Sequence, residues 1–175
     1  NSFSKNIKKT KSAVKIYELV APKKAKETKE NSKDGEVNVG DKAPDFSAPN
    51  NNNIAVSLNK SLGKLTLLDF WASWCGPCRI DSPNLVNVHN KYKDKGLAIV
   101  GISLDIQEKS WKKAIINDRL DWTQVSHLKR WDDPIASMYG VNSIPQLFLL
   151  DENGVVIAKE RHAVDFIPFI EKILL

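Results

Sequence analysis

Both cysteines of this 175-residue chain fall within Trp74-Cys75-Gly76-Pro77-Cys78. Two thiols three positions apart can trade electrons as a dithiol–disulfide couple. The thiolate is the nucleophile, and an ordinary Cys with a pKa of about 8.5 is mostly protonated at neutral pH. A helix start changes this, because its unpaired N–H groups and aligned peptide dipoles favour negative charge. Pro77 suits a first helical turn, where a missing N–H costs nothing. Cys75, at the half-exposed first position, is therefore expected to attack. Cys78, one turn later and covered, is expected to resolve a mixed disulfide because it is held beside it. Three plainer uses compete. A structural disulfide closing so small a ring removes little unfolded-state entropy. A zinc site needs two more ligands from His89, His127 and His162, none paired at ligand spacing. An inert packed pair fits poorly with a Gly-Pro turn at a helix start. Redox chemistry is the favoured reading, with no metal and no cofactor.

The flanking elements must position these sulfurs. Leu65–Trp71 is a nearly continuous apolar run with one acid inside, as in a central strand buried on both faces. That acid, Asp69, lies six residues before Cys75. Desolvation raises the pKa of a carboxyl in such a place, which suits a general base near neutrality; the alternative is a hydrogen-bonded structural acid. Gly76–Lys95 reads as a helix with Pro83 inside and Gly96 at its end. Two short strands flank an Asn-rich turn at 50–53, the second over Ile54–Leu58. Leu97–Leu104 is a further buried strand and Gln107–Asn117 a further helix. Leu120–Pro134 is irregular, and Ile135–Tyr139 is a short helix closed by Gly140. Gln146–Leu150 and Val155–Lys159 flank an Asp-Glu-Asn-Gly turn as a hairpin, and Val164–Leu175 is a terminal amphipathic helix. The order implies an α/β domain, a mixed central sheet with helices on both faces.

The formal charge of +5 is unevenly spread. Residues 1–36 carry ten Lys and five acids, whereas residues 37–175 carry sixteen of each sign. The basic leader has no Arg and only two aromatics, Phe3 and Tyr17, so it lacks the stacking and forked groups of nucleic-acid readers. It reads as a short helix over residues 5–20 followed by a Lys/Glu-rich linker. No segment approaches the roughly 20 apolar residues of a membrane span. The chain opens without an initiator Met or an apolar signal region, and is expected to be a mature or excised product.

The run Leu68-Asp69-Phe70-Trp71-Ala72-Ser73-Trp74-Cys75-Gly76-Pro77-Cys78-Arg79 resembles the active-site segment of the thioredoxin superfamily. Tyr139-Gly140-Val141-Asn142-Ser143-Ile144-Pro145 resembles its cis-proline loop. Gly40-Asp41-Lys42-Ala43-Pro44-Asp45-Phe46 is similar to the lead-in of the TlpA/ResA-like and peroxiredoxin branches related to AhpC/TSA, as is the insert around residues 107–132. The resemblance covers residues 37–175 and implies a thioredoxin-like fold with an N-terminal β extension. Residues 1–36 would be an appendage, a possible remnant of a larger N-terminal region.

The resemblance implies a protein-disulfide reductase. Cys75 would attack, Cys78 would resolve, and Asp69 would carry the proton. Trp74, Gly76, Pro77, Ile144 and Pro145 would meet an extended substrate strand, with Pro145 in cis. The implied partners are disulfide-containing proteins and a membrane thiol donor, with no nucleic acid. The resemblance implies a periplasmic or extracytoplasmic bacterial monomer, with membrane attachment at full length as one form it takes. One departure is Gly101, where the family's buried Lys would face Asp69. The rivals are a thiol peroxidase, which needs a hydroxyl at the position held by Ala72, and a non-catalytic binding module. Trp111, Trp122 and Trp131 are expected to form a small core of the insert, the competing reading being a docking face for a partner. Arg79 is expected either to add positive field at the thiols or to be solvated, and the three His have no assigned role.

Overall fold

The computed structural model describes residues 35–175. The expected leader helix and linker lie outside the described residues. At the centre is β3 (Leu65–Trp71), whose seven side chains are all buried. A strand can bury both faces only as the middle of a layered sheet, so its apolar run needs cover above and below. β4 (Leu97–Ser103) runs parallel to β3 on one side, followed by β5 (Thr123–Val125), also parallel. On the other side β6 (Gln146–Asp151) and β7 (Val156–Glu160) run antiparallel as a hairpin. The order is β5-β4-β3-β6-β7. A separate two-stranded hairpin, β1 (Ser47–Pro49) and β2 (Ala55–Ser57), lies ahead of it in the chain.

Alternation along β3 divides the layers. Leu68 and Phe70 face an aromatic cluster. Phe70 lies 5.5 Å from Tyr139 and 5.8 Å from Phe148, and Phe46 packs 6.3 Å from Tyr139. Tyr139 follows the short helix α3 (Pro134–Met138), and its hydroxyl donates to the Pro44 carbonyl at 2.7 Å, fastening the lead-in segment. Asp69 lies on the opposite face with Leu67 and Trp71. That side is covered by α1 (Gly76–Tyr92) together with the terminal helix α4 (Ile167–Leu174). The remaining helix, α2 (Glu108–Asn117), joins β4 to β5.

Most element boundaries agree with the expected ones, and two differ. The stretch read as irregular contains β5, which has only three residues and is a strand through its pairing with β4. Its pattern is too short to signal on its own. The terminal helix opens with a 3-10 turn over Ala163–Phe166, and Pro168 then sits in the first turn of α4. The sheet is otherwise as expected, mixed and covered on both faces. Among the described residues no helix is long and apolar enough to cross a membrane.

Candidate active site

The site lies where the parallel strands β3 and β4 end, the edge at which open α/β sheets gather function. Cys75 is the N-cap of α1, with φ −83° and ψ 99°, and its sulfur accepts the Cys78 N–H at 3.3 Å. The two cysteines are joined as a disulfide with their Cα atoms 5.3 Å apart. The helix start therefore offers an N–H to the Cys75 sulfur, the placement that stabilises a thiolate once the bond is reduced. One expectation needs correction. Cys75 is 5% exposed and Cys78 6%, so neither is half-exposed in the bonded pair. It is the cap position, not exposure, that distinguishes the two sulfurs.

The loop before Cys75 is pinned by an acid that sequence reasoning missed. Asp105, 1% exposed just beyond β4, accepts from the Ser73 N–H at 2.9 Å, from the Ser73 hydroxyl, and from the Ser103 hydroxyl at 2.7 Å. Leu104 N–H bonds the Trp71 carbonyl at 2.9 Å, splicing the two strand ends. Arg79 is neither solvated nor a free field over the thiols. It is ion-paired with Asp118 at the C-cap of α2, with Nη2 at 2.7 Å from Oδ1, and it donates to the Ser73 carbonyl at 3.1 Å. The pairing holds the guanidinium firmly protonated.

Trp74 is 44% exposed, and its indole N–H reaches the Leu104 carbonyl at 3.3 Å. Arg130 lies 5.0 Å over its ring, and Trp131 meets it edge-on at 6.3 Å. Ser73, Trp74, Gln107, Ser110 and Arg130 line a cavity of about 280 Å³ beside it. The three insert tryptophans thus divide: Trp111 and Trp122 are buried, whereas Trp131 is 41% exposed and joins the surface around the dithiol. Gly76 and Pro77 are exposed as well. The Ile144–Pro145 peptide is cis, Ile144 is half-buried and Pro145 buried. Gln146 pairs with Phe70, so Pro145 sits one residue further along, level with the end of β3 from which the Cys75 loop departs. Arg161 Nη1 donates to the Ser143 hydroxyl at 3.1 Å within the same loop.

Asp69 is 7% exposed and lies between Gly101 on β4 and Leu147 on β6. Burial, with a lesser contribution from the negative charge of Asp81, pushes its pKa up from 3.8 to about 7. Among the described residues no direct hydrogen bond to its carboxyl contributes to this shift. Gly101 does stand where a side chain would face Asp69. That space holds Gln124 of β5, because a Cβ on Gly101 would collide with its carboxamide. The histidines are dispersed. His89 packs 5.1 Å from the Trp122 ring, and burial lowers its pKa. His127 Nδ1 pairs at 3.0 Å with Asp133, the N-cap of α3, and His162 lies 4.0 Å from Asp81. Among the described residues no three His, Cys, Asp or Glu are grouped to hold a metal.

Comparison with known proteins places these features. Residues 39–159 match the AhpC/TSA family. A thioredoxin-like protein, YneN of Bacillus subtilis, is 36% identical over 121 residues, covering 69% of each chain. The thiol-disulfide oxidoreductase ResA of Bacillus cereus is 31% identical over 126 residues, covering 72% of this chain and 71% of its own. Among solved structures, the thioredoxin domain of a thiol-disulfide oxidoreductase from Bacteroides vulgatus superposes with a TM-score of 0.74 at 35% identity, over 80% of this chain and all of its own. A thiol-disulfide oxidoreductase from Bacteroides fragilis gives 0.70 at 32% identity, over 77% of this chain and all of its own. A thioredoxin-like sheet, a bonded Cys75–Cys78 pair capping its first long helix and these relatives agree: the chain belongs to the AhpC/TSA family, with the thiol–disulfide oxidoreductases as its near relatives.

Proposed function

We propose that the chain reduces disulfides in protein substrates outside the cytoplasm, using Cys75 as nucleophile and Cys78 as resolving thiol. The observation that carries this is the seat of Cys75 as N-cap, with its sulfur receiving the Cys78 N–H. In the reduced protein the Cys75 thiolate attacks one sulfur of a substrate disulfide. A Cys75–substrate bond forms, and the first substrate thiolate leaves and takes up a proton. Asp69 then accepts the Cys78 proton, and Cys78 sulfur attacks Cys75. The Cys75–substrate bond breaks, the second substrate sulfur leaves as a thiolate and takes up a proton, and Cys75–Cys78 is left bonded, the state seen here. Two electrons have passed to the substrate, and a thiol donor at the membrane returns them.

Trp74, Gly76 and Pro77 on one side and Ile144–Pro145 on the other flank the sulfurs and provide the edge for an extended substrate segment. A monomer suffices, since every residue in this scheme comes from one chain. The names of the relatives support thiol–disulfide exchange as the reaction class, and the direction of electron flow and the compartment are our reading. A peroxidase is disfavoured because Ala72 has no hydroxyl and the neighbouring Ser73 hydroxyl is committed to Asp105. The test is insulin reduction with dithiothreitol as donor, compared with hydroperoxide consumption. Wild type should turn over insulin, Cys75→Ser should be inactive, and Cys78→Ser should accumulate a covalent adduct through Cys75. Hydroperoxide consumption in place of insulin reduction, or an active Cys75→Ser, would end this reading.

A further inference from the structure

Five strands place five residues in one row on the α1 face of the sheet: Gln124, Gly101, Asp69, Leu147 and Glu160. Gly101 contributes no side chain, and Gln124, 1% exposed, lays its carboxamide over it. A Cβ at Gly101 would collide first with the Gln124 Oε1, and would fall 2.7 Å from its Cδ and 2.8 Å from its Nε2. The amide is also oriented. Trp71 Nε1 donates to Gln124 Oε1 at 3.0 Å, and an indole N–H can only donate. The oxygen must therefore face Trp71, and the NH2 edge is turned elsewhere. Gln124 Nε2 is buried and has no hydrogen-bond partner among the described residues. A buried donor left alone in a native core calls for an explanation.

The surroundings of Asp69 supply one. From α1 it is faced by Asp81, and His162 stands behind Asp81 at 4.0 Å. β4 and β6 offer Gly101 and Leu147, which are uncharged, and β7 offers the acid Glu160 beyond Leu147. Among these neighbours it is Asp81 whose negative charge opposes ionisation of Asp69, together with burial. Gln124 itself lies two strands from Asp69, but its carboxamide reaches over Gly101, one strand spacing of about 4.8 Å from Asp69, and carries its unpartnered N–H edge there.

We propose that Gln124 is a positioning residue for the resolving step: clamped by Trp71 and lodged over Gly101, its amide N–H edge stabilises the Asp69 carboxylate through one bridging water. Water-mediated bonds of this kind are nearly as favourable as direct ones. The inference rests on the dithiol reading above and deepens it. In the step concerned, the proton of Cys78 moves to the Asp69 carboxylate as Cys78 sulfur bonds Cys75 and the substrate thiolate leaves. A carboxyl already protonated at neutral pH cannot take that proton. Gln124 keeps the base available.

The test is a direct titration of the Asp69 carboxyl by 13C NMR in the reduced protein, with the pH dependence of single-turnover resolution of a preformed Cys75 mixed disulfide. Gln124→Met, which keeps the volume and removes the donor, should raise the Asp69 midpoint by about one unit and slow resolution at pH 7 several-fold. Gln124→Lys, which supplies a cation, should move the midpoint the other way. Gly101→Ala, whose methyl would displace the carboxamide, should repeat the upward shift with Gln124 still present; it decides the matter if the Lys variant fails to fold. Midpoints unchanged in Gln124→Met and Gly101→Ala would overturn the proposal. So would shifts in the same direction for Met and Lys, which would mark a packing effect alone. If Asp69 responds as stated but no variant, nor wild type, exchanges disulfides, the dithiol reading fails and the Gln124–Asp69 coupling stands.

Discussion

Asp69 has a thermodynamic cost that can be measured apart from catalysis. Its pKa rises from 3.8 to about 7 on folding. Between those values the folded state holds a proton that the unfolded state has released, so stability falls as pH rises through that window. Below about pH 4 the carboxyl is neutral in both states and costs nothing. Above pH 7 the full penalty applies, on the order of 4 kcal/mol for such a shift. Urea denaturation of wild type and Asp69→Asn across pH 4–8 should show the variant gaining on wild type as pH rises. The same substitution should slow resolution of the mixed disulfide at pH 7 while leaving the initial attack by Cys75 nearly unchanged. A constant stability difference across the range would show that Asp69 is not buried as an acid.

At the scale of elements, the site depends on a splice between two parallel strands. Asp105 sits just past β4 and receives three hydrogen bonds from Ser73 and Ser103, fixing the loop that presents Cys75. Asp105→Ala leaves two hydroxyls and a backbone N–H short of their acceptor, and should cost about 2–4 kcal/mol in a urea melt. It should also lower the rate of Cys75 attack, since the loop is freed. Asp105→Asn should recover part of both losses; full stability in Asp105→Ala would remove the splice from the account. Much of this level was legible beforehand and some was not, for a physical reason. The dithiol, Asp69 and the helix start are local: they share one strand–turn–helix unit, and their spacing along the chain is their spacing in space. Asp105 and Gln124 matter only through register. β5 is three residues long and exists by pairing with β4, so no periodicity marks Gln124 as the residue that would lie over Gly101. Trp131 likewise reads as insert core until the chain brings it against Trp74.

For the whole molecule, the five-stranded sheet serves as a rigid support whose strand ends carry the chemistry, and an insert that adds an aromatic surface to it. Trp74, stacked under Arg130 and beside Trp131, is the largest exposed side chain next to Cys75. An aromatic anchor in such a place is worth about 1–2 kcal/mol to a docked polypeptide. Trp74→Ala should therefore raise KM for insulin about tenfold while leaving the rate with a small aromatic disulfide nearly unchanged. Equal losses with both substrates would instead assign Trp74 to the sulfur chemistry. The whole arrangement rests on one asymmetry: two sulfurs of equal burial, of which only one caps a helix. Timed alkylation of the fully reduced protein with iodoacetamide at pH 7, with each site read by mass spectrometry, tests that asymmetry most directly. Cys75 should be labelled first, by about tenfold or more over Cys78; equal labelling, or Cys78 ahead of Cys75, would contradict the assignment.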